Sequence, residues 1–193
     1  MLSLKESLII LKETRALIEG HFILSSGLHS SKYVQCAQLM SKPYKANKIC
    51  ESLAEKIKNE FIDFDLILSP AMGGVVIGYE IGKLLKKETI FAERVKGEFE
   101  LRRDFKIKEK AKVLIIEDVI TTGKSSLECS GLVTANKGTI IGYACIINRS
   151  NSELKLKNKI VSQVELDIPT YSQDNLPKEL SSITPVKPGS RNL

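Results

Sequence analysis

Two acidic residues, Glu117 and Asp118, directly follow the apolar run Val113-Leu114-Ile115-Ile116 and lead into Val119-Ile120-Thr121-Thr122-Gly123-Lys124-Ser125. This order has a chemical reading. A buried strand delivers a pair of carboxylates to its carboxyl end, which is where ligands bind in open α/β sheets. The backbone amides of the turn, the hydroxyls of Thr121, Thr122 and Ser125, and the positive end of the following helix suit a phosphate monoester. The carboxylates, in turn, accept hydrogen bonds from vicinal sugar hydroxyls. An anion cradle beside a diol acceptor describes a ribose 5-phosphate site. A strand-loop-helix crossover with incidental polar residues accounts for neither the acid pair nor the Thr-Thr-Gly turn. Neither G-x-x-x-x-G-K nor G-x-G-x-x-G occurs, so Gly123-Lys124-Ser125 is not part of a nucleotide-binding P-loop.

The elements that must position this site follow from periodicity. Ser3 and Glu6 form a capping box, predicting an amphipathic helix to about Glu19 with Gly20 as its stop. His21–Leu24 and Tyr33–Gln35 read as short strands about a turn at Ser25-Ser26-Gly27. A second helix follows Ser41, with Pro43 in its first turn and Ile49, Leu53 and Ile57 on one face. From Asp65 the pattern becomes strand and helix in alternation. Leu66-Ile67-Leu68 leads into Ala71-Met72-Gly73-Gly74 and a helix through Leu84, and Thr89–Ala92 is the next strand. Val113–Ile116 is apolar throughout, as befits the centre of a parallel sheet, and Lys124–Ala135 and Ile140–Ile147 supply the next helix and strand. The repeated β-α-β order predicts an α/β fold with a doubly wound, mostly parallel sheet flanked by helices. No repeat or linker divides residues 1–193, and the tail from Ser182 is turn-rich and expected on the surface.

Composition narrows the function classes. The chain has 193 residues, 42% hydrophobic and 27% charged, enough for one sizeable core and ordinary for a folded protein. No apolar run reaches the roughly 20 residues that cross a bilayer, and Met1–Glu6 lacks the cationic start of a signal peptide, so a cytoplasmic enzyme without membrane attachment is expected. The four cysteines show no C-x-x-C spacing and read as small buried hydrophobes, and two histidines are too few for a His-based metal site. Arg94–Lys112 holds eight Lys or Arg against four Asp or Glu and so carries most of the net charge of +6. Its alternation at Phe99, Leu101, Phe105 and Ile107 predicts a hairpin projecting from the body. Such a segment suits a polyanionic small ligand, and its sparse aromatic residues weigh against a nucleic-acid surface.

The stretch Val113–Ser125 resembles the phosphoribosyl pyrophosphate signature of the type I phosphoribosyltransferases. Gly20-His21-Phe22-Ile23-Leu24-Ser25-Ser26-Gly27-Leu28-His29-Ser30 is similar to the G-x-F-x-L-x-S-G-x-x-S element of the orotate phosphoribosyltransferases. Pro70–Gly74, Phe91–Arg94, Leu101–Phe105 and Val186–Arg191 resemble further elements of that family, so the similarity covers nearly the whole chain.

The resemblance implies the type I phosphoribosyltransferase fold, with a small hood lobe from residues 1–40 and the C-terminal segment forming a base-binding unit. It implies that Glu117 and Asp118 hold the ribose hydroxyls, that Val119, Ile120, Thr121, Thr122, Gly123, Lys124 and Ser125 enclose the 5-phosphate, and that Ala71, Met72, Gly73 and Gly74 form a pyrophosphate loop. Thr121, Arg149, Phe22 and Ser25 become the orotate contacts. Arg94, Lys96, Arg102 and Arg103 become catalytic hood cations alongside Asp118. Many relatives carry lysine at the positions of Ser25 and Gly73, so here the cationic complement shifts to the hood. Mg2+ is the implied cofactor, held through ligand and water rather than by direct protein ligation. Phosphoribosyl pyrophosphate and orotate are the implied substrates, and a homodimer with shared sites is the implied assembly. A purine phosphoribosyltransferase and a non-catalytic sensor of phosphoribosyl pyrophosphate are the competing readings.

Overall fold

The computed structural model describes residues 1–24, 26–150 and 154–188. In chain order the elements are α1 (Leu4–Glu13), β1 (Leu17–Ile23), β2 (His29–Val34), α2 (Cys36–Met40), α3 (Pro43–Glu60), β3 (Leu66–Pro70), α4 (Gly73–Leu85), β4 (Glu88–Val95), β5 (Glu98–Leu101), β6 (Lys112–Ile120), α5 (Lys124–Ala135), β7 (Thr139–Asn148), β8 (Ile160–Glu165), β9 (Thr170–Tyr171) and α6 (Lys178–Ser181). The main sheet runs β5-β4-β3-β6-β7-β8, parallel except for the edge strand β5.

Alternation along β6 sends neighbouring side chains to opposite faces. Leu114 and Ile116 join Ile49, Leu53 and Ile57 of α3 and Ile77 and Ile81 of α4 in one core. Val113 and Ile115 join Cys129 and Val133 of α5 in the other. Both faces are therefore covered, which explains why the strand is apolar without interruption. Strand order reverses between β3 and β6: β4 lies outward of β3 on one side, β7 and β8 outward of β6 on the other. The crevice at such a reversal, above the carboxyl ends, is where an open α/β sheet takes its ligand.

A second, three-stranded sheet, β1-β2-β9, is antiparallel throughout. The tail joins it: Val186 N–H donates to His21 O, and Ile23 N–H donates to Val186 O, both at 2.9 Å. His21 and His29 are buried together, with His21 Nε2 2.6 Å from His29 Nδ1.

Several boundaries differ from expectation. The capping box at Ser3 is present, but α1 stops at Glu13 rather than near Glu19. Thr14 turns its hydroxyl back onto Ile10 O at 2.7 Å, and Arg15 takes a positive φ of 60°, which ends the helix. Gly20 consequently lies within β1, where the pairing with β2 shifts register. The hairpin's second arm ends at Leu101, because Arg103 and Asp104 both adopt left-handed backbone. Its outer part, Ala92–Val95 paired with Leu101–Glu98, runs past the carboxyl end of β3, whose pairing with β4 ends at Ala92. All four cysteines are buried and free, and burial raises their thiols well above the ordinary range. No described helix is long and apolar enough to cross a membrane.

Candidate active site

β6 carries the acid pair, and strand geometry splits it. Glu117 lies on the α5 side, where its carboxylate accepts a hydrogen bond from Ser126 Oγ. Asp118 lies on the α4 side, against Gly73. The two acids thus approach the crevice from opposite faces of one strand. Glu117 is 8% exposed, and this burial pushes its carboxyl up to about 7; the Ser126 bond opposes the rise and neighbouring Asp118 adds to it. Burial also raises Asp118 above the usual carboxylate range, against the bond it accepts from Val119 N–H at 2.9 Å.

After Ile120 the chain turns through Thr121 and Thr122 to Gly123, whose φ of 69° is left-handed and so suits glycine. A side chain there would also meet the Leu154 side chain at 2.7 Å. Gly123 is the N-cap of α5, and no side chain caps the helix. In that first turn Lys124 N–H lies 3.4 Å from Thr122 Oγ1 and Ser126 N–H donates to the Glu117 carboxylate, which leaves the Ser125 amide and the positive end of the helix to meet an anion. Ser125 lies in that first turn, and Ser126 behind it braces Glu117.

The loop after β3 meets Asp118 from below. Ala71 N–H donates to Ala92 O at 2.8 Å, and the Ala71–Met72 peptide is cis. Gly73 and Gly74 open α4. A Cβ at Gly73 would stand 2.7 Å from Asp118 Oδ2, and one at Gly74 would stand 2.9 Å from Ile116 O. Backbone and carboxylate approach this closely only because both positions lack side chains. Met72 is 84% exposed at the tip.

On the other side of β6, the parallel register sets Asn148 beside Ile120, so Arg149 follows beside Thr121, its N–H donating to Ile120 O at 2.9 Å. The Arg149 guanidinium is partly buried, which lowers its pKa from the usual value. Its Nε is buried and has no partner among the described residues. A buried donor of this kind calls for an acceptor. A cleft of about 810 Å³ opens here, walled by Thr121, Thr122, Gly123, Lys124 and Arg149 on one side and by Glu165, Asp167, Ile168 and Thr170 on the other.

The hood cations are placed as follows. Arg94 pairs with Glu128 of α5 at 2.6 Å and lies over the Phe99 ring at 4.1 Å. Arg103 pairs with Glu93 at 2.9 Å, and Arg102 stands 3.9 Å from the same carboxylate. Lys96 is at the hairpin turn with φ 49°. Phe22 is buried in β1 against Tyr33, ring centroids 5.7 Å apart, and is not among the residues walling the cleft. Ser25 lies outside the described residues, as do Gly189, Ser190 and Arg191 of the tail motif.

The structure therefore brings Thr121–Lys124 and Arg149 into one cleft, and Asp118 and Gly73 into contact, while the hairpin arginines stay on acids of their own chain. Sequence reading passed over Ser126, Asn148 and the far wall from Glu165 to Thr170. β8 was the missing element: it is buried on both faces, but Ser162 and Gln163 stand between Val161 and Val164, so the strand shows no continuous apolar run.

Comparison with known proteins agrees with this fold. The model of the phosphoribosyl transferase domain matches residues 41–174. An orotate phosphoribosyltransferase of Rhizorhabdus wittichii is 45% identical over 181 residues, spanning 93% of this chain and 92% of the relative. In fold, the chain is similar to the crystal structure of orotate phosphoribosyltransferase from Aeropyrum pernix, with a TM-score of 0.71 at 23% identity, covering 82% of this chain and 92% of that one. It is also similar to adenine phosphoribosyltransferase from Thermoanaerobacter pseudethanolicus, with a TM-score of 0.59 at 18% identity over 70% of this chain and 88% of that one.

Proposed function

The chain belongs to the phosphoribosyl transferase family, and from that premise we propose that it transfers the 5-phosphoribosyl group of phosphoribosyl pyrophosphate to orotate. The products are orotidine 5-phosphate and pyrophosphate, a step of de novo pyrimidine synthesis. The observation that carries orotate as the acceptor is Arg149, a partly buried guanidinium whose Nε has no partner among the described residues, one strand across from Thr121 in the phosphate cleft. A guanidinium fork matches a planar carboxylate in two parallel hydrogen bonds.

Each part of the site has its task. The uncapped first turn of α5, with Thr121, Thr122 and Ser125, binds the 5-phosphate. Glu117 and Asp118 accept the ribose hydroxyls from the two sides of β6. The amides of Gly73 and Gly74, at the start of α4, meet the pyrophosphate. Arg94, Lys96, Arg102 and Arg103 supply positive charge as pyrophosphate leaves and the ribose develops cationic character. Orotate is already an anion, so its ring nitrogen attacks ribose C1 with little need of a general base, and no covalent enzyme intermediate forms.

The donor set fits Mg2+. Glu117 and Asp118 are hard oxygen donors, and among the described residues no cluster of three or more His, Cys, Asp or Glu side chains gathers. An ion held near them would complete its shell from substrate oxygens and water, with little direct ligation by the protein. When bound, it neutralises charge on the departing pyrophosphate. A homodimer is part of the reading, supported by the exposed apolar stripe Met72, Val76 and Tyr79 that starts at the pyrophosphate loop. The cytoplasm suits the four free thiols.

The test is pyrophosphate release with orotate, hypoxanthine and adenine offered separately, with and without magnesium. Orotate- and magnesium-dependent release is expected. Release with a purine and none with orotate refutes the proposal.

A further inference from the structure

Glu128 is the only acidic residue of α5, and it lies one helical turn beyond the phosphate cradle. Its Oε2 accepts from Arg94 Nη2 at 2.6 Å, and its Oε1 stands 3.9 Å from Lys124 Nζ. Arg94 is committed on its other side as well, donating through Nη1 to Gly97 O while its guanidinium covers Phe99. The remaining hairpin arginines, Arg102 and Arg103, share Glu93, but Glu93 belongs to β4 and stays with the hairpin wherever it goes. The Glu128 pair is different, because it joins the hairpin to the helix that begins the phosphate site.

The functional reading above, on which this inference rests, sends Arg94 to the departing pyrophosphate, and Lys124 opens the turn that the family resemblance wraps around the 5-phosphate. One guanidinium edge cannot serve a carboxylate and a phosphate at once. We propose that Glu128 is a positioning residue that holds Arg94 and Lys124 in waiting, and that the phosphoryl groups of the substrate displace its carboxylate from both. The contact keeps the hairpin ordered over α5 before binding and sets a modest charge for the substrate to outcompete. It also gives Arg94 a carboxylate to return to when pyrophosphate departs, which speeds product release.

The pair is partly exposed, with side chains 38% and 29% accessible, so its strength is that of a surface ion pair. Removing it is expected to tighten anion binding by about two- to fivefold. The experiment titrates magnesium pyrophosphate by calorimetry into wild-type protein, E128Q, R94A and the double variant, and compares kcat with KM for phosphoribosyl pyrophosphate. E128Q is expected to bind pyrophosphate more tightly and to lower KM and kcat together. In the R94A background the effect of E128Q shrinks to what Lys124 alone contributes. E128D, which keeps the charge on a shorter arm, falls between wild type and E128Q and serves if E128Q folds poorly. Weaker or unchanged pyrophosphate binding in E128Q overturns the proposal, as does an equal effect of E128Q with and without Arg94. The titration needs no turnover, so a protein inactive on orotate refutes the functional reading while the binding data still decide this one.

Discussion

Replacing Glu117 by Gln is expected to stabilise the protein while disabling it, and the size of the effect follows from where the carboxyl sits. Glu117 is 8% exposed, and burial moves its pKa from 4.5 to about 7. Below 4.5 the group is neutral whether the chain is folded or not. Between 4.5 and about 7 the unfolded chain gives up a proton that the folded protein keeps. Stability therefore falls as pH rises through that window and levels off above it. At about 1.4 kcal/mol per pH unit, the carboxylate costs the folded state roughly 3 kcal/mol at about pH 8 and less than about 1 kcal/mol at about pH 5. Gln has nearly the same shape and keeps an acceptor for Ser126 Oγ, but it has no charge to desolvate. Urea denaturation of both proteins at the two pH values should show E117Q more stable by roughly 3 kcal/mol at the higher and nearly equal at the lower. In a chain of this length that is a rise of roughly 6–10 °C in melting temperature. Turnover should fall in the same variant, since a neutral amide is a poorer acceptor for a ribose hydroxyl. An equal stability change at both pH values, or a loss at the higher, refutes the claim that Glu117 is a desolvated acid.

Two further substitutions probe the geometry. In G73A the new Cβ would stand 2.7 Å from the Asp118 carboxylate, so the acid must move. Turnover should fall by roughly tenfold to hundredfold, because a displacement near 1 Å at a reacting centre carries that cost. Thermal stability should hold, since alanine is the better helix former, and unchanged steady-state kinetics would count against the Gly73–Asp118 contact. R149K keeps the charge and loses the fork. KM for orotate should rise by about tenfold or more, the worth of a charged hydrogen bond of about 1.5–3 kcal/mol, while KM for phosphoribosyl pyrophosphate stays nearly constant. Equal effects on both substrates would place Arg149 outside the base pocket.

How much of this was legible in the sequence divides along physical lines. Local order was enough for the phosphate cradle: apolar strand, acid pair, Thr-Thr-Gly turn and helix lie within thirteen consecutive residues, and α5 begins at Lys124 and ends at Ala135 as its pattern predicts. The doubly wound sheet followed from the alternation of elements, since a parallel strand covered on both faces has to be apolar on both. The small lobe was read less well. Its α1 boundary depends on the backbone of Arg15, and its strands depend on a tail more than 150 residues away in the chain, with Val186 bonded to His21 and Ile23.

The amino-acid order by itself determined which residues could hold a phosphorylated sugar, because that chemistry is carried by neighbours along one strand and turn. Only the tertiary structure decided that the acid pair divides between two faces, that Gly73 lies against Asp118, and that Arg149 arrives beside Thr121 through the β6–β7 register. It also decided that the hairpin arginines rest on Glu93 and Glu128. These are pairings between segments far apart in the chain. Their distances are set by how sheet and helices pack, and no local pattern of residue types encodes that.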